Sequence, residues 1–365
     1  MSHYSSGDAA RSAVSLRSAL QSLPPYKPGK SAASSDVITY KLSSNENPYP
    51  PLPSVLDAVN QMSPEMNLYP DMTCQAVTEA VASRWGVDPS SVSFGSGSVE
   101  VASQIIRAVC EEGDEVVFAW RSFEAYPIVV RSAGARDVQV PLTADHRHDL
   151  PAMLEAITDR TRVVLLCTPN NPTGPVLTTD EVEDFLGKVP PHVLVVIDEA
   201  YVEFVRHPQA VSGLDMYRRH ANVVVLRTFS KAHGLANLRV GYSVSRPEIT
   251  AALRTVAVPF AVSTVAEQAA IASLDHLDEV LAGVQAVVDE RERVVAALTD
   301  AGWDAPETHA NFVWLPLGKQ AAAFAAAAGE KALSVRAFAG EGVRVSIGER
   351  EANDRLLEVA RAFRA

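Results

Sequence analysis

Between about Pro70 and Phe260, short apolar runs recur along the chain, separated by stretches in which apolar and polar residues mix at helical spacing. Residues 115–118, 162–167, 193–197 and 222–226 are almost unbroken β-branched and aliphatic segments. A strand with one wet face alternates apolar and polar residues. These runs do not alternate, so they predict strands buried on both faces, the pattern of a parallel sheet covered by helices on each side. The last three end in polar residues, and ligands collect at the carboxyl ends of such strands. Beyond Ser263 the pattern changes to one long Ala/Val/Glu/Arg-rich helical run reaching Thr299, then to strand candidates at 311–315 and 342–347. The fold class expected is α/β: a mixed, mostly parallel sheet between helices, with a smaller α+β domain. No internal repeat is visible.

The first 36 residues contain ten serines and no apolar core of a secretory signal. Residues 16–23 suit a short amphipathic helix, and an Arg/Ser-rich organellar presequence is the alternative. Proline clusters at 24–28 and 48–53 predict an extended arm lying on a surface, of this chain or of a partner.

With 32 basic against 44 acidic residues the net charge is −12, which disfavours a sequence-independent hold on nucleic acid or an anionic membrane. No apolar run is long enough to span a bilayer. A hydrophobic content of 47% excludes wholesale disorder. Cys74, Cys110 and Cys167 are odd in number and lack CxxC spacing, so neither a disulfide framework nor a zinc knuckle is expected; the setting predicted is reducing and cytoplasmic, with Cys110 and Cys167 as core thiols. His146 and His148 have ligand-like spacing but sit in a polar turn, and no metal is expected.

Four motifs at strand ends carry different functional groups. Gly95-Ser96-Gly97-Ser98-Val99, before a helical pattern, presents backbone N–H groups and the positive end of a helix, suited to a phosphate. In Asn170-Asn171-Pro172, the proline biases Asn171 to an extended conformation with its amide at the strand tip. In Asp198-Glu199-Ala200-Tyr201, a carboxylate at an apolar strand end needs a cationic or hydrogen-bonding partner, unless it simply caps a helix. Thr228-Phe229-Ser230-Lys231, with Arg239 eight residues on, offers hydroxyls, an amine and a second cation. A phosphate cradle, an acid for a ring nitrogen, two partners for a phenolate oxygen and an amine that condenses with a carbonyl are together the needs of pyridoxal 5'-phosphate.

From Tyr26 to near the C-terminus, the chain resembles the fold-type-I, class I/II pyridoxal-phosphate aminotransferases, in the branch containing the histidinol-phosphate aminotransferases. The resemblance implies that Lys231 carries the cofactor and acts as the proton shuttle. It implies that Asp198 pairs with the pyridine nitrogen, and that Asn171 and Tyr201 partner the ring oxygen. Ser230, Arg239 and, more weakly, Thr228 match phosphate ligands, with the backbone of Ser98 and Val99 as the phosphate turn and Phe123 stacked on the ring. Arg344 matches the clamp for the substrate α-carboxylate and Arg336 is a second cation nearby. Asn45 and Tyr26 resemble arm residues that close over the substrate. Tyr69 resembles the tyrosine that reaches the neighbouring subunit's cofactor, which implies a homodimer with shared active sites. His233 stands where relatives often carry tyrosine. The domain division implied is 1–60 for an N-terminal arm and part of the small domain, 61–262 for the large cofactor-binding domain, and 263–365 for a linking helix and the small C-terminal domain.

The stretch Trp120-Arg121-Ser122-Phe123-Glu124-Ala125-Tyr126-Pro127, with residues 310–318, is similar to the actinobacterial aromatic (phenylalanine) aminotransferases. That resemblance implies amino transfer between an aromatic amino acid and 2-oxoglutarate. Histidinol-phosphate transamination is the second reading; a carbon–sulfur lyase and a non-catalytic pyridoxal-binding regulator are more distant ones.

Overall fold

The computed structural model describes Arg17, Leu23, Pro25 and residues 39–364. Tyr26, the helix expected at 16–23 and nearly all of the Ser-rich start lie outside the described residues.

A short strand, β1 (Tyr40–Leu42), precedes the main run of strands. These are β2 (Val92–Gly95), β3 (Glu115–Trp120), β4 (Arg136–Pro141), β5 (Thr161–Cys167), β6 (Leu194–Asp198), β7 (Val223–Thr228) and β8 (Gly241–Val244). They form one seven-stranded sheet in the order β2-β8-β7-β6-β5-β3-β4. Its pairs are parallel except those made by β8, which runs against both β2 and β7. The apolar runs behave as strands wet on neither face. Val117, Val164, Val195 and Ile197 pack into one core cluster, while their neighbours Val116, Val163, Leu165 and Val196 pack into another on the opposite face.

The long helical run is interrupted. Thr264–Asp275 and Leu277–Asp300 are separate helices that meet at His276, whose φ of −110° and ψ of 34° leave the helical region. Its ring nitrogen Nδ1 lies 2.9 Å from the carbonyl oxygen of Ala272, and Asp278 and Glu279 open the next helix with acidic residues at its positive end. No glycine or proline marks the break, so apolar spacing reads straight through it.

After the second of these helices come β9 (Phe312–Leu315), β10 (Leu333–Phe338) and β11 (Gly342–Ser346). With β1 they make a four-stranded sheet in the order β1-β10-β11-β9, β1 lying parallel to β10. Its core, from Leu42 through Phe312 and Phe324 to Leu356, is a third cluster. Register places Arg336 on β10 directly opposite Arg344 on β11. The segment between β1 and the helix Pro53–Met62 crosses the loop after β7, where the Asn47 amide donates to the carbonyl of Ala232 at 3.0 Å.

Candidate active site

A cavity of about 400 Å³ opens where the carboxyl ends of β5, β6 and β7 face the small sheet. Asp198 is the last residue of β6, and consecutive side chains at a strand end point to opposite faces. Asp198 lines the cavity, whereas Glu199 turns into the protein, bonded to the Arg227 guanidinium at 2.8 Å and the Gly213 N–H at 2.6 Å. Asp198 is buried. Its Oδ2 accepts a 2.6 Å hydrogen bond from the Tyr126 hydroxyl, and Oδ1 has no partner among the described residues. Burial raises the carboxyl to about 6, partly offset by the Tyr126 hydroxyl and the Ala200 N–H.

Lys231 follows β7 and lines the same cavity, with Nζ donating to the Ser44 carbonyl at 3.1 Å. Loss of water around the ammonium, with Arg344 and Arg239 as the leading like charges, draws its pKa from 10.5 to about 7. An amine that loses its proton near neutrality can attack a carbonyl and carry a proton.

The far end of the cavity is built for an anion. The helix Ser98–Val109 begins after Gly97, whose φ of 83° belongs to glycine. A Cβ at Gly97 would overlap the Arg239 guanidinium, and one at Gly241 would come within 2.5 Å of the Ser98 nitrogen. Arg239 Nη1 donates to Ser230 Oγ at 3.3 Å, and the Ser230 N–H to Thr228 Oγ1 at 3.1 Å. Helix amides, a guanidinium and hydroxyls therefore converge without intervening side chains.

On the opposite wall, Arg344 Nη1 donates to Asn171 Oδ1 at 2.6 Å and Nη2 to the Ser43 carbonyl at 2.7 Å. The Asn45 amide donates to the Tyr201 hydroxyl at 3.0 Å, and Ser346 donates to Asn45 Oδ1. Phe123 stands edge-on to Tyr126, 5.6 Å between ring centres. Arg336 also lines the cavity, with both Nε and Nη2 directed at Glu124.

Thirteen residues singled out from sequence thus share one cavity: Asn45, Ser98, Val99, Phe123, Asn171, Asp198, Tyr201, Thr228, Ser230, Lys231, Arg239, Arg336 and Arg344. Tyr69 does not join them within this chain. It is 83% exposed, with its ring 4.8 Å from that of Phe260. Arg121 is turned away, ion-paired with Glu341 and stacked on Trp120. His148 is buried behind the site, with Nε2 3.2 Å from Asn170 Oδ1, and His233 packs against Phe229 and bonds Ser273. Cys167 lines the cavity, but burial pushes its thiol up to about 12. Among the described residues, no group of three or more His, Cys, Asp or Glu side chains is arranged to hold a metal, and no helix is long and apolar enough to cross a membrane.

Sequence reasoning missed Tyr126 and Glu124, although both lie in a stretch it singled out. Neither follows a strand directly: Glu124 lies in the turn before the helix Tyr126–Ala133 and Tyr126 opens that helix, and only the packing of this segment against β6 and β10 turns them to Arg336 and Asp198.

The residues present fit the cofactor that the motifs imply. The partnerless buried oxygen of Asp198 suits a protonated ring nitrogen, and the glycine-lined anion end suits a phosphate. The family profile for class I and II aminotransferases matches residues 37–359. The chain is 55% identical over 349 residues to the aromatic amino acid aminotransferase of Streptomyces avermitilis, covering 96% of this chain and 97% of that protein. It is 51% identical over 348 residues to the aromatic amino acid aminotransferase of Thermobifida fusca, covering 95% and 97%. Among solved structures, it is similar to the histidinol-phosphate aminotransferase of Sinorhizobium meliloti in complex with pyridoxal-5'-phosphate. The TM-score is 0.84 at 29% identity, covering 98% of this chain and 100% of that one.

Proposed function

The chain belongs to the class I and II aminotransferases, and from that premise we propose that it moves an amino group from phenylalanine or tyrosine to 2-oxoglutarate, using pyridoxal 5'-phosphate. The observation that carries this reading is the convergence of Lys231, Asp198 and Arg239 on one cavity in a chain more than half identical to an aromatic aminotransferase.

When bound, the cofactor supplies a protonated ring that accepts the electron pair left by a broken Cα–H bond. The chain's own residues do the rest. Asp198 holds a proton on the ring nitrogen through its partnerless Oδ1. Lys231, its amine drawn down to a pKa of about 7, would carry the proton between the substrate Cα and the cofactor carbon on the far side of the amino nitrogen. Arg239, Ser230, Thr228 and the amides of Ser98 and Val99 grip the phosphate, and Phe123 covers the ring. Asn171 accepts from Arg344 with its oxygen, leaving its amide hydrogens to donate to the ring oxygen. Tyr201 accepts from Asn45 and so has its own hydrogen to donate there. Arg344, a planar fork, clamps the α-carboxylate, and Asn45 closes over the substrate.

Residues 61–262 would form the cofactor-binding domain, with 1–60 and 263–365 contributing the arm and the small domain. Tyr69 would reach the cofactor phosphate of a second copy, making a homodimer with shared sites, and the cytoplasm would be its compartment.

Competition between phenylalanine and histidinol phosphate at saturating 2-oxoglutarate tests the substrate. The expected result is a kcat/KM for phenylalanine at least about tenfold higher, roughly 1.4 kcal/mol. A preference for histidinol phosphate would overturn the aromatic reading.

A further inference from the structure

One cavity has to accept two unlike side chains in turn, an apolar ring from the donor and a second carboxylate from the acceptor. Arginines decide how it treats each. Arg239 sits at the anion end beside hydroxyl and carbonyl oxygens, and the contacts of Arg344 include an amide and a carbonyl oxygen. Arg336 is different: Nη2 lies 2.7 Å and Nε 3.2 Å from the same oxygen, Oε2 of Glu124. Both partners line the cavity and neither is fully exposed, their side chains at 14% and 29%. Phe338 backs the Arg336 guanidinium at 5.5 Å and the Arg121 guanidinium at 5.4 Å, and Arg121 is itself paired with Glu341. The cations that flank this ring therefore carry their own carboxylates.

We propose that Glu124 is a specificity-determining counter-ion, holding Arg336 against anionic substrate side chains and keeping the cavity receptive to aromatic ones. The proposal rests on the reading that an aromatic donor and a dicarboxylic acceptor share this cavity. An aromatic ring beside the pair meets a neutral, ring-backed surface and leaves the pair intact. A distal carboxylate must take Glu124's place on Arg336, and a phosphate dianion meets the repulsion of Glu124 as well. Glu124 thereby holds down affinity for anionic side chains, so that the dicarboxylic acceptor does not occupy the cavity at the expense of the aromatic donor.

The test is equilibrium binding of two unreactive analogues, glutarate and 3-phenylpropionate, to the holoenzyme, followed by the cofactor's absorbance. In Glu124→Gln, which keeps a hydrogen bond to Arg336 while removing the charge, glutarate should bind at least about fivefold tighter and 3-phenylpropionate should change by less than about twofold. The double variant E124Q/R336Q should lose the glutarate gain. Unchanged glutarate binding, or equal shifts for both analogues, would overturn the role of Glu124. A gain that survives loss of Arg336 would do so too. Turnover of phenylalanine by the unaltered enzyme tests the underlying reading separately, because the ratio of analogue affinities does not depend on which donor is physiological.

Discussion

Lys231 and Asp198 sit in one cavity with pKa values moved towards each other, the lysine down to about 7 and the acid up to about 6. Burial is the leading cause for both, and it disfavours whichever form is charged. For the lysine the consequence is measurable without turnover. Its native pKa lies below its unfolded value of 10.5, so folding releases a proton between pH 7 and 10.5. Stability then rises with pH across that window, and the cost of the buried ammonium is full below it. Urea unfolding of the cofactor-stripped protein should show unaltered protein gaining on Lys231→Ala as pH is raised from about 7 to about 9. Parallel pH profiles would mean that Lys231 titrates as an ordinary surface lysine. Tyr126 belongs to the same account, since its hydroxyl supplies the side-chain hydrogen bond that keeps Asp198 from rising further.

The turn between β2 and the helix Ser98–Val109 makes the anion end, and its shape depends on a missing side chain. Gly97 holds a φ of 83° with the Arg239 guanidinium where a Cβ would be. Any other residue would strain the backbone by about 1–3 kcal/mol and displace the guanidinium from the helix N-terminus. Gly97→Ala should therefore weaken pyridoxal-phosphate binding at least about tenfold, measured by equilibrium dialysis, while the far-ultraviolet circular dichroism stays unchanged. Affinity equal to the unaltered protein would show that the turn is not the phosphate cradle. On the opposite wall the decisive element is the β10–β11 pair, whose register sets Arg336 against Arg344.

At the scale of the molecule, the most prominent apolar exposure among the described residues gathers around Tyr69. Met66, Leu68, Tyr69 and Met72 lie in one segment, 61–83% exposed, and Tyr69 packs on Phe260, beside exposed Val258. A soluble monomer rarely leaves so many large side chains in water within one region. A second copy covering this face would bury them and bring Tyr69 to the other active site. Sedimentation velocity should find a dimer, and Phe260→Asp should weaken self-association at least about tenfold and reduce activity in parallel. A fully active monomeric variant would overturn the shared site.

Local pattern determined much of this protein. Unbroken apolar runs specify strands buried on both faces, because alternation would otherwise have to appear, and polar residues at their ends specify where ligands meet the sheet. Thus Asp198, Asn171, Lys231 and the glycine turn were legible as a group. Other features required the chain to be folded. The break at His276 has no glycine or proline to announce it, and the antiparallel direction of β8 leaves no trace in its four residues. Glu124 and Tyr126 lie two positions apart, one in a turn and the other opening a helix, yet one pairs with Arg336, more than two hundred residues away, and the other with Asp198. Spacing along a chain specifies which face a side chain takes on its own element. Which distant charge that face meets is set only when the two sheets pack.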